Sequence, residues 1–107
     1  MPPAPADPEP ARADIEAVRG PALIEFGTGW CGHCRAAQKP IGEALAAHPS
    51  VRHVRIEDGP GRRLGRSYGV KLWPTLVFLH DGSEVERLVR PTQPGPIAAA
   101  LARIDFE

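Results

Sequence analysis

The sequence predicts an α/β domain in which helices cover both faces of one mixed sheet. Three observations carry that expectation. Two short apolar runs, ALIEF at 22–26 and TLVFL at 75–79, have the length of buried strands. The stretches around them repeat apolar residues every three or four positions, the period of an amphipathic helix. Asp81-Gly82 follows the second run and marks a hairpin, so one strand pair is antiparallel.

The elements follow in order. Asp7 is expected to cap a first helix with Pro8 at its first position, running to Gly20 with Ile15 and Val18 inward. ALIEF is the first strand. A long helix from about Cys31 to Ala47 buries Ala37, Ile41 and Leu45 and turns Arg35, Gln38, Lys39 and Glu43 outward, with Pro49 ending it. VRHVRIE at 51–57 is a second, less cleanly patterned strand, and DGPG at 58–61 is a turn. A short helix from Arg62 to Ser67 buries Leu64. TLVFL then pairs through the hairpin with a strand at Glu84–Val89. The last helix, Pro94–Ile104, carries Ile97, Leu101 and Ile104 on one face. A strand, a crossover helix and a strand make a parallel pair, and the terminal hairpin joins the same sheet.

Composition narrows the function classes. The chain's 107 residues suit one domain, and its 42% hydrophobic content supplies one core. Thirteen basic and thirteen acidic side chains cancel, which argues against a nucleic-acid or membrane-surface partner. Arg52, Arg55, Arg62, Arg63 and Arg66 read as a solvated basic face. The opening MPPAPADPEP holds five prolines. Residues 1–8 are expected to be a disordered or polyproline-like tail, and residues 9–107 the folded domain. That opening lacks the basic and apolar regions of a secretory signal, and no segment is apolar enough to span a bilayer. A cytoplasmic location is therefore expected, where a permanent structural disulfide is disfavoured.

Both cysteines stand in GTGWCGHCRAAQKP at 27–40. Cys31-x2-Cys34-x13-His48-x4-His53 fits a two-Cys, two-His zinc pattern by counting. The elements oppose it: the cysteines open a helix, whose 17 residues rise roughly 25 Å, and both histidines are expected at its far end. An iron–sulfur cluster needs more thiolates than the chain has. A Cys–His hydrolase lacks an acidic orienter at any telling spacing. Dithiol redox chemistry suits the pair better. At a helix N-terminus Cys31 meets unpaired N–H groups and the positive end of the helix dipole, which favour the nucleophilic thiolate. Cys34, one turn on and less exposed, is placed to resolve a mixed disulfide by attacking Cys31. Gly32 permits the tight entry.

WCGHC after an apolar strand, KLWPT about forty residues later and a DG hairpin beyond it resemble the thioredoxin superfamily over residues 9–104. The resemblance implies a trimmed thioredoxin-like fold, with four strands in the order 2-1-3-4. It implies a protein-disulfide oxidoreductase that needs no cofactor beyond its own Cys31–Cys34 disulfide and no metal. Its partners would be disulfide-containing proteins and an electron donor such as a thioredoxin reductase or glutathione, and the chain would act as a monomer. Residue by residue, Trp30 would pack beside the cysteines, and Trp73, Pro74 and Thr75 would form a substrate-binding cis-proline loop. Trp73 departs from the small or aliphatic residue usual there. Glu25, six residues before Cys31, matches a buried acid of the family; desolvation would raise its pKa and make it a proton acceptor for Cys34. The alternative is a glutamate neutralised by Arg55 on the neighbouring strand, or one that reaches solvent. Arg90 would stabilise a thiolate or stand as a plain surface arginine. Pro40, the helix-bending proline, sits six residues after Cys34 rather than five, with Lys39 in the usual place.

Gly32-His33 resembles the dipeptide of protein disulfide isomerase. A histidine beside the thiolate stabilises the reduced form and makes the couple more oxidising. Thioredoxin and the isomerase differ by about 90 mV, roughly 4 kcal/mol. A reducing cytosol would still keep the dithiol largely reduced, so reduction of protein disulfides is expected as the main activity, with isomerase or oxidase activity of the same site as the alternative. A zinc-binding module and a non-catalytic binding module are the rival classes.

Overall fold

The computed structural model describes residues 9–106. Its elements run α1 (Arg12–Glu16), β1 (Pro21–Gly27), α2 (Gly32–Leu45), β2 (Arg52–Glu57), α3 (Leu64–Ser67), β3 (Thr75–His80), β4 (Ser83–Val89) and α4 (Pro94–Ile104). One four-stranded sheet takes the order β2-β1-β3-β4. β1 and β2, joined by the α2 crossover, are parallel, with Glu25 opposite Arg55. β3 is antiparallel to β1 and to β4. This is the α/β thioredoxin-like sheet that the sequence led us to expect.

Alternation along β1 and β3 splits their side chains between two layers. Leu23, Leu76 and Phe78 face α2 and α4, where Ala37, Ile41, Ala44, Ile97, Leu101 and Ile104 meet them. Ala22, Ile24, Phe26, Val77 and Leu79 face Ile15, Leu64 and Tyr68 on the α1 and α3 side. The two middle strands are thus buried on both faces, which is why they read as unbroken apolar runs. β2 and β4 are sheet edges and are mostly half-exposed, which blurred the pattern of VRHVRIE.

Three boundaries differ from expectation. The first helix begins at Arg12 and is capped by Ala11, whose N–H is accepted by the Asp14 carboxylate 3.0 Å away. Asp7 is therefore not its cap, and residues 1–8 lie outside the described part of the chain. The helix stops at Glu16 instead of Gly20 because the chain must reach β1: Gly20 takes φ +78° and gives its N–H to Asp81 Oδ1 at 2.7 Å. In α2 the buried row is Cys34, Ala37, Ile41 and Ala44, while Leu45 is only half-buried. Pro40 is buried inside that helix.

The arginine run is not all solvated face. Arg55 Nε lies 3.6 Å from Glu25 Oε1. Arg62 Nε lies 3.2 Å from Glu9 Oε2 and donates to the Glu57 carbonyl at 3.0 Å. Among the described residues no helix is long and apolar enough to cross a membrane.

Candidate active site

β1 ends at Gly27, and the loop Thr28–Trp30 delivers the chain to α2 with Cys31 as its N-cap. The Cys31 sulfur accepts the Cys34 backbone N–H at 3.2 Å, the role usually filled by a serine or aspartate oxygen. Both cysteines are free. Cys31 is 8% exposed and Cys34 4%. Burial pushes the Cys34 thiol up to about 12, assisted by its coupling to Cys31 and by the Glu25 charge, against a backbone N–H of Thr28 that favours the thiolate. Two sulfurs one helical turn apart are thereby made unequal.

The Trp73–Pro74 peptide is cis. The Trp73 carbonyl faces Cys31 and accepts from its thiol at 3.9 Å. Three contacts hold this loop. Thr75 Oγ1 donates to the Leu72 carbonyl at 2.6 Å, Trp73 Nε1 to Asp58 Oδ2 at 2.8 Å, and Arg90 Nε to the Trp73 carbonyl at 2.8 Å. The Arg90 N–H also closes on the Pro74 carbonyl. Arg90 therefore holds the loop carbonyl that Cys31 faces, and its contact is to the loop instead of a sulfur. Trp30, half-exposed, stands edge-on to Trp73 with ring centroids 5.7 Å apart. Gly32 and His33 are exposed in the first turn of α2, and the His33 ring has no hydrogen bond among the described residues.

Behind Cys34 lies Glu25, buried on the α2 face of the sheet. Its Oε1 is 2.8 Å from His53 Nε2, and its Oε2 accepts from Gln38 Nε2 at 2.7 Å. Gln38 Nε2 also donates to the Cys34 carbonyl at 2.8 Å, and Gln38 Oε1 accepts from Arg55. Burial alone would raise the carboxyl, but the bonds from His53 and Gln38 and the charges of His53 and Arg55 outweigh it. The net direction is downward, opposite to the raised value expected from desolvation.

His53 is also not remote from the site. β2 runs parallel to β1 and brings its ring to Glu25, whereas His48 stays at the far end of α2, 2.6 Å from Asp105. Sequence reasoning missed Gln38, His53 and Asp58 as parts of the site. Gln38 carries a usable signal: it stands one turn after Cys34 and so shares its helix face. Asp58 and His53 carried none, since strand register and loop packing place them.

Comparison with known proteins agrees with this arrangement. The thioredoxin family model matches residues 7–103. The structure of thioredoxin 2 from Pseudomonas aeruginosa PAO1 in its reduced form is similar with a TM-score of 0.79 and 54% identity, over 88% of this chain and 87% of that one. A thioredoxin of Chlamydia trachomatis is 42% identical over 65% of this chain and 69% of its own length. Protein disulfide-isomerase A2 of Pongo abelii is 38% identical over 76% of this chain, which spans 17% of that protein. The chain spans 65% of the length of a thioredoxin of Aspergillus fumigatus and 42% of that of thioredoxin-2 of Pyricularia oryzae. With a family match over nearly the whole chain, a sheet of the expected order and two cysteines at the head of α2, the chain belongs to the thioredoxin family.

Proposed function

We propose that the chain is a thiol–disulfide oxidoreductase that mainly reduces protein disulfides. The observation that carries this reading is the inequality of the two sulfurs. Cys31 caps a helix, and its sulfur accepts the Cys34 N–H at the mouth of the site. Cys34 is held protonated and deeper in the fold. Cys31 attacks a substrate disulfide, expels one sulfur as a thiolate and forms a mixed disulfide. Cys34 then gives up its proton and attacks the Cys31 sulfur, releasing the second substrate thiolate and leaving a Cys31–Cys34 disulfide. That disulfide is the only redox group the scheme needs.

Glu25 is the proton acceptor in this scheme. It is ionised at neutral pH, but its lowered pKa makes it a weaker base than burial alone would, so the proton passes onward along its bond to His53 instead of resting on Glu25. The substrate chain lies along Trp73, Pro74 and Thr75 by strand-like pairing. The exposed apolar residues support that surface: Trp30 beside Cys31, Leu72 before the loop, and Val89 opposite Thr75. The protein works as a cytoplasmic monomer, on disulfide-containing proteins, with electrons from a thioredoxin reductase or glutathione.

Cys31→Ser should abolish dithiol-driven reduction of a protein disulfide, and Cys34→Ser should accumulate mixed disulfides that identify the partners by mass spectrometry. Turnover by Cys31→Ser would sink the proposal. Isomerase activity is a second reading, favoured by exposed His33 in the first turn of α2. Equilibration with glutathione redox buffers separates the two: a potential near about −180 mV supports the isomerase and one near about −270 mV the reductase.

A further inference from the structure

Trp73 has two neighbourhoods. Its carbonyl faces Cys31, and its indole N–H donates to Asp58 Oδ2 at 2.8 Å. That bond sets the ring as one wall of a cleft of about 480 Å³, lined also by Asp58, Arg62, Arg66, Val70 and Lys71. The cleft holds three cations and one acid, and the acid is taken by the indole. Arg62 is half-buried and paired with Glu9. Arg66 and Lys71 are exposed and make no ion pair or side-chain hydrogen bond among the described residues. Placement, not composition, makes this end positive, since the chain's thirteen basic and thirteen acidic side chains cancel. Glu16, Asp81 and Glu84 gather at the other end of β1, where Pro21 pairs with His80.

We propose that this cleft selects disulfide substrates that carry acidic side chains two or three residues from the reacting cysteine, and that Arg66 and Lys71 receive those acids. The inference rests on the redox reading of Cys31 and Cys34 and names the class of protein segment that the site prefers. Trp73 joins the two places: its carbonyl is 3.9 Å from the Cys31 sulfur, and its ring lines the cleft. A substrate chain extended along Trp73, Pro74 and Thr75 carries its reacting sulfur at Cys31. Two or three residues of that chain span roughly 7–10 Å, enough to cross one tryptophan side chain and enter the cleft. Arg66 offers a planar fork that takes a carboxylate bidentately, and Lys71 a rotatable ammonium. Neither cation has a protein partner to give up. A lysine at the same place in a substrate meets like charge, so the cleft discriminates by repulsion as well as attraction. Arg90 stays outside this role because its Nε is held by the Trp73 carbonyl.

The test gives the reduced full chain three peptides, each with one central cysteine joined by a disulfide to a second copy of itself. They differ only in carrying glutamate, glutamine or lysine at the second and third positions on either side of that cysteine. Each second-order rate is divided by the same peptide's rate with dithiothreitol alone, which removes the effect of charge on the disulfide itself. At an ionic strength of about 0.01 M, where charges act over about 30 Å, the glutamate peptide should react about fivefold faster than the glutamine peptide, the size of two exposed ion pairs. The lysine peptide should be slower than both. At about 1 M salt the three rates should converge. In Arg66→Gln/Lys71→Gln the glutamate-to-glutamine ratio should fall close to one, and in Arg66→Glu/Lys71→Glu the order should invert. Each ratio is taken within one variant, so loss of folded protein does not mimic the result. Equal rates in the unsubstituted protein overturn the proposal and leave the redox reading standing. A ratio that persists in the glutamine double variant overturns it too, since selection then lies elsewhere. If the reduced chain opens none of the peptides, nor 2-hydroxyethyl disulfide, the redox reading itself falls, and this inference with it.

Discussion

Glu25 shows how one side chain's state is decided by competing terms. Its burial opposes charge, yet two hydrogen bonds and two cations hold it ionised. A carboxyl whose folded pKa is depressed adds stability above its unfolded value and loses it as pH falls through the folded one. Below about 4.5, the ordinary glutamate value, the protein should therefore lose stability that Glu25→Gln never had. At pH 7 that substitution should cost about 1.5–3 kcal/mol, the worth of hydrogen bonds to a charged group, and the acid limb of its stability curve should be shallower. Urea unfolding between pH 3 and 7 checks both; parallel curves would show that Glu25 is not the linked group. Cys34, pushed up to about 12, gives the complementary expectation. Iodoacetamide at pH 7.5 should label Cys31 and spare Cys34, and equal labelling of the two would contradict the inequality. At this scale Cys31, Cys34 and Glu25 were legible because two-residue spacing and an acid in an apolar strand are local signals. The sign of the Glu25 shift was not legible, because His53 reaches it only through the parallel register of β2.

Among the elements, the β3–β4 hairpin carries the most local information. Asp81 and Gly82 take φ +50° and +82°, the doubly positive pair of a type I′ turn, and Asp-Gly is the sequence that turn favours. The turn is also a tertiary contact. A Cβ on Gly82 would lie 2.0 Å from the Glu16 carbonyl oxygen at the end of α1, and Asp81 accepts the Gly20 N–H. Gly82→Ala therefore combines a left-handed penalty of about 1–2 kcal/mol with displacement of α1. It should lower stability by more than that penalty alone; thermal unfolding beside Asp81→Asn, which tolerates the same φ, measures the difference. Helix and strand identity were readable from periodicity, and Pro94–Ile104 matches to the residue. α1 was misjudged because a proline-rich run looked like a helix start, while its true extent is set by contacts far along the chain. Arg12 lies 3.8 Å over the Tyr68 ring, and Glu9 accepts the Arg63 N–H at 3.0 Å.

For the whole molecule, the decisive feature is that two apolar layers share one pair of central strands. Leu23 and Ile24 are neighbours in sequence, are fully buried, and belong to different layers. Neither layer can open without exposing backbone hydrogen bonds that the other needs, so both should be lost in one cooperative step. The layers are unequal in supporting structure. One rests on α2 and α4, with 14 and 11 residues, and the other on α1 and α3, with five and four. Amide hydrogen exchange should then divide the fold. Amides of Leu23–Phe26 and Leu76–Leu79 should exchange only through global unfolding, and those of α1 through cheaper local opening. Leu101→Ala, in the α4 layer, should cost about 2–5 kcal/mol. It should lower the exchange free energy of Ile24 and Phe26 by the same amount, although their side chains face the opposite layer. If exchange at Ile24 and Phe26 stayed unchanged while Leu23 and Leu76 weakened, the two layers would be separate units, and the shared strands would not couple them.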